Sequence, residues 1–304
     1  MSYLTGKTLG PYKIVERIGE GGMAVVYKAY QASLGRYVAI KVLRGELAQN
    51  EEFVSRFRRE ALAAAKLSHP NILHVHDAGL TDGIYYIVMS YVDGGSLKDL
   101  IERGPLDVDQ AISIATQLAN ALDHAHQHGL VHRDVKPSNV MLAHDGRPLL
   151  TDFGIAKVLY EATRLTRTGT SIGTPEYMAP EHALMKPTDA RTDIYALGIV
   201  LYEMLCGRVP FTADTPVVTL YRQVNEPPEP VRKLNGKVPK WLETVVAKAL
   251  AKRPEERYQR AKAMARDLHR HRNPAALAAG KVAARKTPPP ATPPPSSQSA
   301  APGA

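Results

Sequence analysis

The pattern of hydrophobic and polar positions changes near residue 93. Before that point, short runs rich in β-branched and aromatic residues are typical of strands. They are Tyr12–Ile18, Val25–Tyr30, Tyr37–Leu43, Ile72–Ala78 and Tyr85–Tyr91. One amphipathic helix is predicted among them, at Glu51–Leu67, because Phe53, Phe57 and Ala64 recur on one helical face. The pattern therefore predicts a small lobe that consists of a sheet and one main helix.

Residues 96–272 follow a mostly helical pattern, as in the stretches Leu106–Gly129 and Asp193–Gly207. Only Val140–Leu142 and Leu149–Thr151 favour short strands there. We therefore predict an α+β fold with two lobes, a sheet-rich lobe over about residues 12–92 and a larger helical lobe over about 93–272. Residues 1–11 are assigned as a lead-in. A ligand site is expected where the two lobes meet.

Composition excludes several classes of protein. The chain has 304 residues, and 44% of them are hydrophobic, which is enough for a sizeable core. No apolar run is long enough to cross a membrane, and the first residues lack the apolar stretch of a signal peptide. The single cysteine, Cys206, excludes an intrachain disulfide and a cysteine-cluster metal site. We therefore expect a soluble, cytoplasmic protein, and Cys206 is expected in the core.

The net charge of +9 lies almost wholly near the C-terminus, because residues 251–286 hold 11 Lys and Arg against 3 Asp and Glu. Residues 273–304 are rich in proline and alanine and contain no aromatic residue, so they are predicted to be a disordered tail or linker. Aromatic residues for base stacking do not accompany the charges, and specific nucleic-acid binding is not expected. A weak contact of residues 257–286 with an anionic membrane or partner is the alternative that we retain.

A glycine-rich stretch joins the first two predicted strands. It reads Ile18-Gly19-Glu20-Gly21-Gly22-Met23-Ala24-Val25-Val26. Glycines allow backbone N–H groups to approach an anion closely, since no Cβ stands in the way. An ordinary hairpin turn is the alternative interpretation. Because a strand follows the glycines, the stretch differs from a P-loop or a dinucleotide fingerprint, in which a helix follows.

A lysine and a carboxylate are predicted beside this loop. Alternation in the strand Val38–Val42 places Ala39 and Lys41 on one face, which leaves room for a flat ring beside a cation. An exposed lysine on a half-buried strand is the alternative. Glu60 lies on the apolar stripe of the predicted helix, where a carboxylate needs a partner to offset its desolvation. Lys41 is the natural candidate, and the ion pair would hold its ammonium ready for phosphate.

The larger lobe contains the stretches His132–Asn139 and Asp152-Phe153-Gly154. Asn139 and Asp152 supply the oxygen ligands that Mg²⁺ prefers. Asp134 is a carboxylate that could accept a hydroxyl proton, and Lys136 could offset charge on a transferred phosphoryl group. Each of these residues alone could be an ordinary polar residue of a loop, but their order and spacing together indicate phosphoryl transfer.

The ordered set of motifs resembles the protein kinase family over about residues 10–272 and is most similar to the bacterial eukaryotic-like (Hanks-type) Ser/Thr kinases. The glycine-rich motif matches except that Ala24 stands at the third glycine, and a small residue there still lets the loop close over phosphates. The other motifs match at Val38–Lys41, at His132–Asn139, at Asp152–Gly154 and at Ala179–Glu181.

The resemblance implies the bilobal kinase fold and the ATP-dependent transfer of the γ-phosphoryl group to Ser or Thr hydroxyls of proteins. It implies that Asp134 is the catalytic base, that Lys136, Lys41 and Thr174 act beside it, and that Asn139 and Asp152 hold Mg²⁺, with Mn²⁺ as an alternative. The residues that it assigns to ATP binding are Ile18, Gly19, Glu20, Gly21, Gly22, Met23, Ala24, Val25, Val26, Ala39, Lys41, Glu60, Met89, Ser90, Tyr91, Val92 and Met141.

The segment between Asp152 and Glu181 is expected to control activity. Its residues Thr166 and Thr168 are predicted autophosphorylation sites, with Arg133 available to bind a phosphate, although a threonine-rich loop could simply be polar. By resemblance, Glu181 pairs with Arg257 and Asp193 anchors the backbone of the catalytic loop. A metal site at His124, His126 and His128 is disfavoured, because no other ligand type lies nearby.

Two alternative functions remain open at this point. A pseudokinase would use the same fold as a scaffold, but such proteins typically lose a residue equivalent to Lys41, Asp134 or Asp152, all of which are present. A small-molecule kinase is disfavoured by the intact segment 173–181, which resembles a peptide platform. By resemblance we also retain a homodimer through the small lobe and a location at the inner face of the membrane.

Overall fold

The structure, a computed structural model, describes residues 4–153 and 174–270, apart from the side chains of Arg56 and Glu60. Backbone contacts divide the chain into residues 1–272 and 273–304, and the second unit lies outside the described residues. The predicted tail therefore stays a prediction.

Six antiparallel strands form the sheet of the first lobe, in the spatial order β1-β2-β3-β4-β6-β5. They are β1 Thr8–Leu9, β2 Tyr12–Glu20, β3 Ala24–Gln31, β4 Arg36–Leu43, β5 Val75–Thr81 and β6 Ile84–Ser90. The predicted strand at Ile72–Ala78 is wrong at its start, since Ile72 makes only an isolated bridge with Leu150. The chain pairs there with the other lobe before it enters the sheet.

Two helices accompany the sheet, α1 Gly45–Ala48 and α2 Glu51–Ala65. Asn50 caps the start of helix α2, because its side chain accepts a hydrogen bond from the N–H of Glu52 at 2.9 Å. Phe57 and Ala61 are buried in a cluster with Ile87 of β6. Burial of this apolar face places α2 against the sheet.

The second lobe is built from helices around a buried core. They are α3 Leu97–Ile101, α4 Val108–Gln127, α5 Pro180–Ala183, α6 Ala190–Cys206, α7 Pro216–Asn225, α8 Val231–Leu234, α9 Lys240–Ala249 and α10 Ala261–Arg270. A two-stranded sheet of β7 Val140–Leu142 and β8 Pro148–Leu150 joins them. Helix α6 is buried along most of its length and ends where Gly207 adopts a φ of 71°.

Two observations bear on expectations from composition. Cys206 is partly buried against the core, and burial raises the pKa of its thiol to about 11, so the thiol stays protonated at neutral pH. Within residues 4–153 and 174–270, none of the helices combines the length and the apolar character that crossing a bilayer requires.

Candidate active site

The loop that contains Asp134 is anchored to the buried helix α6. Asp193 accepts hydrogen bonds from the backbone N–H of His132 at 2.8 Å and of Arg133 at 2.7 Å. Nε2 of His126 lies 2.8 Å from Oδ2 of the same carboxylate. Arg133 has a φ of 64°, a left-handed conformation that a non-glycine residue seldom adopts. The prediction that Asp193 anchors this loop is confirmed, and the anchor fixes the position of Asp134.

His132 connects the loop to the segment of Asp152. Its Nδ1 accepts the N–H of Asp134 at 3.2 Å, so the ring proton lies on Nε2, which donates to the carbonyl of Thr151 at 2.9 Å. The ring packs against Phe153, with centroids 4.6 Å apart. Burial lowers the pKa of His132, so the ring is neutral at physiological pH. This role of His132 was not predicted from the sequence.

Asp134 receives two nitrogen donors at one oxygen. Its Oδ2 lies 3.1 Å from Nζ of Lys136 and 2.9 Å from Nδ2 of Asn139. The same Nδ2 also donates to the backbone carbonyl of Asp134 at 2.8 Å. Because Asn139 uses its nitrogen for both bonds, its Oδ1 is left to coordinate a cation. The structure thus brings together three of the residues that the motif predicted.

Lys41 lies across the lobe boundary from Asp152. Its Nζ is 3.0 Å from Oδ1 of Asp152, which leaves the second carboxylate oxygen for a metal ion. Lys41 is positioned by β4, where it pairs with Val26 of β3 and Ile87 of β6. The predicted ion pair of Lys41 with Glu60 involves a side chain outside the described residues and stays a prediction.

A divalent ion at this place fits the donors that the chain offers. No group of three or more His, Cys, Asp or Glu side chains in the described part of the chain could hold a metal. Asn139 and Asp152 supply two oxygen donors, and Mg²⁺ is commonly held by one or two protein oxygens together with substrate phosphates and water. The geometry therefore suits an ion that arrives with a phosphorylated ligand.

The glycine-rich loop forms the turn between β2 and β3. The N–H of Gly21 donates to the carbonyl of Ala24 at 2.9 Å, which closes the turn. A Cβ placed on Gly19 would come no closer than 3.6 Å to Val26, and one on Gly21 no closer than 3.7 Å to Ala24. The protein itself would therefore tolerate a side chain at either position. The glycines instead keep side chains out of the space through which an anion could approach the loop.

An apolar cluster lies between the sheet and the hairpin of β7 and β8. It contains six of the residues predicted to bind adenine, namely Val26, Ala39, Met89, Tyr91, Val92 and Met141. Ser90, the seventh, donates its N–H to the carbonyl of His74 at 3.0 Å. Leu73 and Leu149 belong to the same cluster but were not predicted. They come from the loop after α2 and from β8, and no local periodicity marks them.

The segment that follows the undescribed residues 154–173 is held to the large lobe by several contacts, including one at Glu181 and one at Tyr177. Glu181 and Arg257 form a buried ion pair with distances of 2.8 and 2.7 Å, which confirms that predicted pairing. Burial opposes ionisation of Glu181, but Arg257 outweighs it and lowers the pKa of Glu181. The hydroxyl of Tyr177 donates to Glu203 at 2.6 Å, a contact that sequence reasoning missed.

Of the predicted residues in this region, the structure describes Thr174 but not Thr166 or Thr168. Thr174 is exposed and lines the same cleft as Asp134 and Met178. Thr166 and Thr168 lie outside the described residues, so their proposed modification stays a prediction.

The chain is similar to known protein kinases over most of its length. The family model described as protein kinase domain matches residues 12–269. A probable serine/threonine-protein kinase of Clostridium perfringens is 46% identical over 269 residues, which cover 88% of this chain and 39% of that protein. Serine/threonine-protein kinase PrkC of Bacillus subtilis is 44% identical over 267 residues, covering 87% and 41%. The chain thus spans about two fifths of the length of these curated relatives.

The fold of this chain is also similar to that of a solved kinase structure. The crystal structure of the Mycobacterium tuberculosis PknI kinase domain matches with a TM-score of 0.70 and 33% identity, and the match covers 89% of this chain and 99% of that domain. This likeness confirms the two-lobed α+β fold that the sequence predicted.

Proposed function

The chain belongs to the protein kinase family, and we propose that it is an active ATP-dependent kinase that phosphorylates Ser and Thr hydroxyls of proteins. One observation carries the proposal. Asp134 is held by Lys136 and Asn139 on a loop anchored to α6, and Lys41 reaches Asp152 from the other lobe at 3.0 Å. His132 links the two groups, since its ring bonds both the N–H of Asp134 and the carbonyl of Thr151, and a scaffold protein would not need such an arrangement.

Asp134 accepts the proton of the substrate hydroxyl in this proposal, because its carboxylate is fixed at the end of the anchored loop. Lys136, 3.1 Å from Asp134, offsets negative charge on the transferred group, and Thr174 lines the cleft beside them. Lys41 binds phosphate oxygens of the nucleotide. Asn139 and Asp152 hold Mg²⁺, which when bound neutralises charge on the phosphates. This assignment is supported by Oδ1 of Asn139 and Oδ2 of Asp152, because the hydrogen bonds to Asp134 and Lys41 use other atoms of these side chains.

The nucleotide site is assigned to the apolar cluster and the glycine-rich loop. Adenine lies among Ala39, Met89 and Met141, and the hinge residues 90–92 bind it through their backbone. Gly19 and Gly21 keep side chains away from the phosphates, since the fold does not itself require glycine at either position.

The acceptor class is argued from the sequence. Lys136, two residues after the base, and Thr174 before Pro175 are typical of Ser/Thr kinases. We further propose that Thr166 and Thr168 are phosphorylated by the kinase itself and that Arg133 binds the resulting phosphate. Mass spectrometry of the wild type and of Asp134→Asn tests this, because loop phosphate on the inactive form would contradict it.

We also propose a partner and a location in the cell for this protein. A homodimer through the small lobe would make autophosphorylation concentration-dependent, and strictly first-order rates would contradict it. Residues 257–286 carry positive charge that would attract an anionic surface, which would place a cytoplasmic protein at the inner face of the membrane. Binding to lipid vesicles that is unchanged when phosphatidylserine is omitted, or when residues 273–304 are deleted, would contradict this.

Transfer of labelled phosphate from Mg·ATP to a generic basic protein tests the main proposal. We expect transfer by the wild type and its loss in Lys41→Met and Asp134→Asn. Asp145→Asn is the matched control, because Asp145 is an exposed carboxylate outside the cleft and should not affect transfer. Absence of transfer from a wild type that carries phosphate on residues 154–173 would instead support the scaffold alternative.

A further inference from the structure

The carboxylate in the glycine-rich loop lies between two arginines. Oε2 of Glu20 is 2.6 Å from Nη1 of Arg17, and Oε1 is 2.5 Å from Nη2 of Arg44. Arg17 belongs to β2, the same strand as Glu20 and three residues before it. Arg44 directly follows β4, the strand of Lys41. Only the contact with Arg44 therefore ties the loop to a different part of the chain.

Arg44 makes two further contacts with the loop. Its Nε donates to the carbonyl of Gly21 at 3.1 Å, and its backbone N–H donates to the carbonyl of Met23 at 3.0 Å. One residue thus holds the loop at three places, namely Glu20, Gly21 and Met23. Bonds that involve a guanidinium are charge-assisted and stronger than neutral ones, although salt and solvent weaken them at this half-exposed position.

We propose that Arg44 is a positioning residue for nucleotide binding, which holds the tip of the glycine-rich loop in the conformation that receives the phosphates. This proposal rests on the assignment of the loop to ATP in the proposed function. Glycine has the largest backbone freedom, so ordering a loop with three glycines on a ligand costs entropy. A loop that is already tied at Gly21 loses less freedom when nucleotide binds.

The shape of the Arg44 side chain and its charge can be tested separately. Arginine reaches two acceptors at once through a planar fork, whereas lysine keeps the charge on a single nitrogen. Arg44→Lys therefore preserves the charge near the phosphates but cannot hold Glu20 and Gly21 in the same way. Arg17→Lys is the matched control, because it makes the same chemical change at the same carboxylate without affecting the link from β4 to the loop.

The test is titration of each protein with Mg·ADP, together with steady-state kinetics at varied Mg·ATP. For Arg44→Lys we expect the Kd for Mg·ADP and the KM for ATP to rise about threefold to tenfold, the value of one ordinary hydrogen bond, because solvent weakens the charge-assisted bonds of this half-exposed pair. The kcat should change less than about twofold, since the reacting groups are untouched. Arg17→Lys should change the Kd less than about twofold.

Three results would overturn the proposal. They are equal effects of the two lysine variants, an unchanged Kd for Arg44→Lys, and a fall in kcat at constant KM. If Arg44→Lys does not fold, Glu20→Gln weakens the same contact from the loop side and should raise the Kd in the same direction. A wild type that binds Mg·ADP but transfers no phosphate would contradict the proposed function while the Kd comparison still tests Arg44.

Discussion

Removing the buried carboxylate of Glu181 should destabilise the protein far more than removing an exposed one. The side chains of Glu181 and Arg257 are only 8% and 0% exposed. In Glu181→Gln, the guanidinium of Arg257 would remain buried beside Tyr195, with carbonyl groups but no carboxylate to compensate its charge. Loss of one partner of a buried pair typically costs about 3–5 kcal/mol. We therefore expect a loss of about that size in the free energy of unfolding.

Denaturant unfolding monitored by fluorescence and circular dichroism measures this cost. The control is Glu226→Gln, which breaks a pair with Arg222 at 3.8 Å in which both side chains are well exposed. Exposed pairs of this spacing contribute about 0.3–0.5 kcal/mol. If Glu181→Gln cost no more than Glu226→Gln, the argument that burial makes the pair important would be refuted.

The same pair predicts a pH dependence with a definite sign. The pKa of Glu181 is lowered by Arg257 from the ordinary value of 4.5. A carboxyl with a lowered pKa stabilises the folded state above its unfolded pKa, and this stabilisation is lost as the pH falls through the folded pKa. The difference between the wild type and Glu181→Gln should therefore be full at neutral pH and shrink below about pH 4.5.

Two further predictions concern Glu203 and Gly21. Burial raises the pKa of Glu203 above its ordinary 4.5, so the wild type should lose stability as the pH rises from 4.5 through the raised pKa. Glu203→Gln should remove that loss in denaturant titrations at several pH values, and an unchanged pH profile would contradict the assignment. Gly21→Ala should keep the free energy of unfolding within about 1 kcal/mol of the wild type but weaken binding of Mg·ATP. Calorimetry that found unaltered affinity would contradict the role given to this glycine.

The sequence predicted the parts of the site that lie close together along the chain. Six consecutive residues contain Asp134, Lys136 and Asn139, and Asp152 follows the hairpin of β7 and β8. Their order along the chain alone indicated their chemistry. The strand periods predicted the sheet for the same reason, because alternation is a local property. What the motifs could not supply was the contact partner of each residue.

The missed features all depend on contacts between distant parts of the chain. Tyr177 meets Glu203 26 residues away, and Arg44 meets Glu20 24 residues away. A strand is predicted at Ile72 because the residue is β-branched, but Ile72 forms an isolated bridge with Leu150 of the other lobe. Propensity describes a residue's fit to a pleated surface and does not specify which surface it meets.

Burial separates the parts of the site that must stay fixed from those that must admit a ligand. Asp193, which holds the loop of Asp134, has a side chain that is 0% exposed. Arg44 and Glu20, which hold the glycine-rich loop, are 36% and 45% exposed. Contacts open to water are weaker than buried ones, so Arg44 orders the glycine-rich loop without locking it in place. A carboxylate as deeply buried as Asp193 cannot be released so easily, and the loop of Asp134 is therefore held more firmly than the glycine-rich loop.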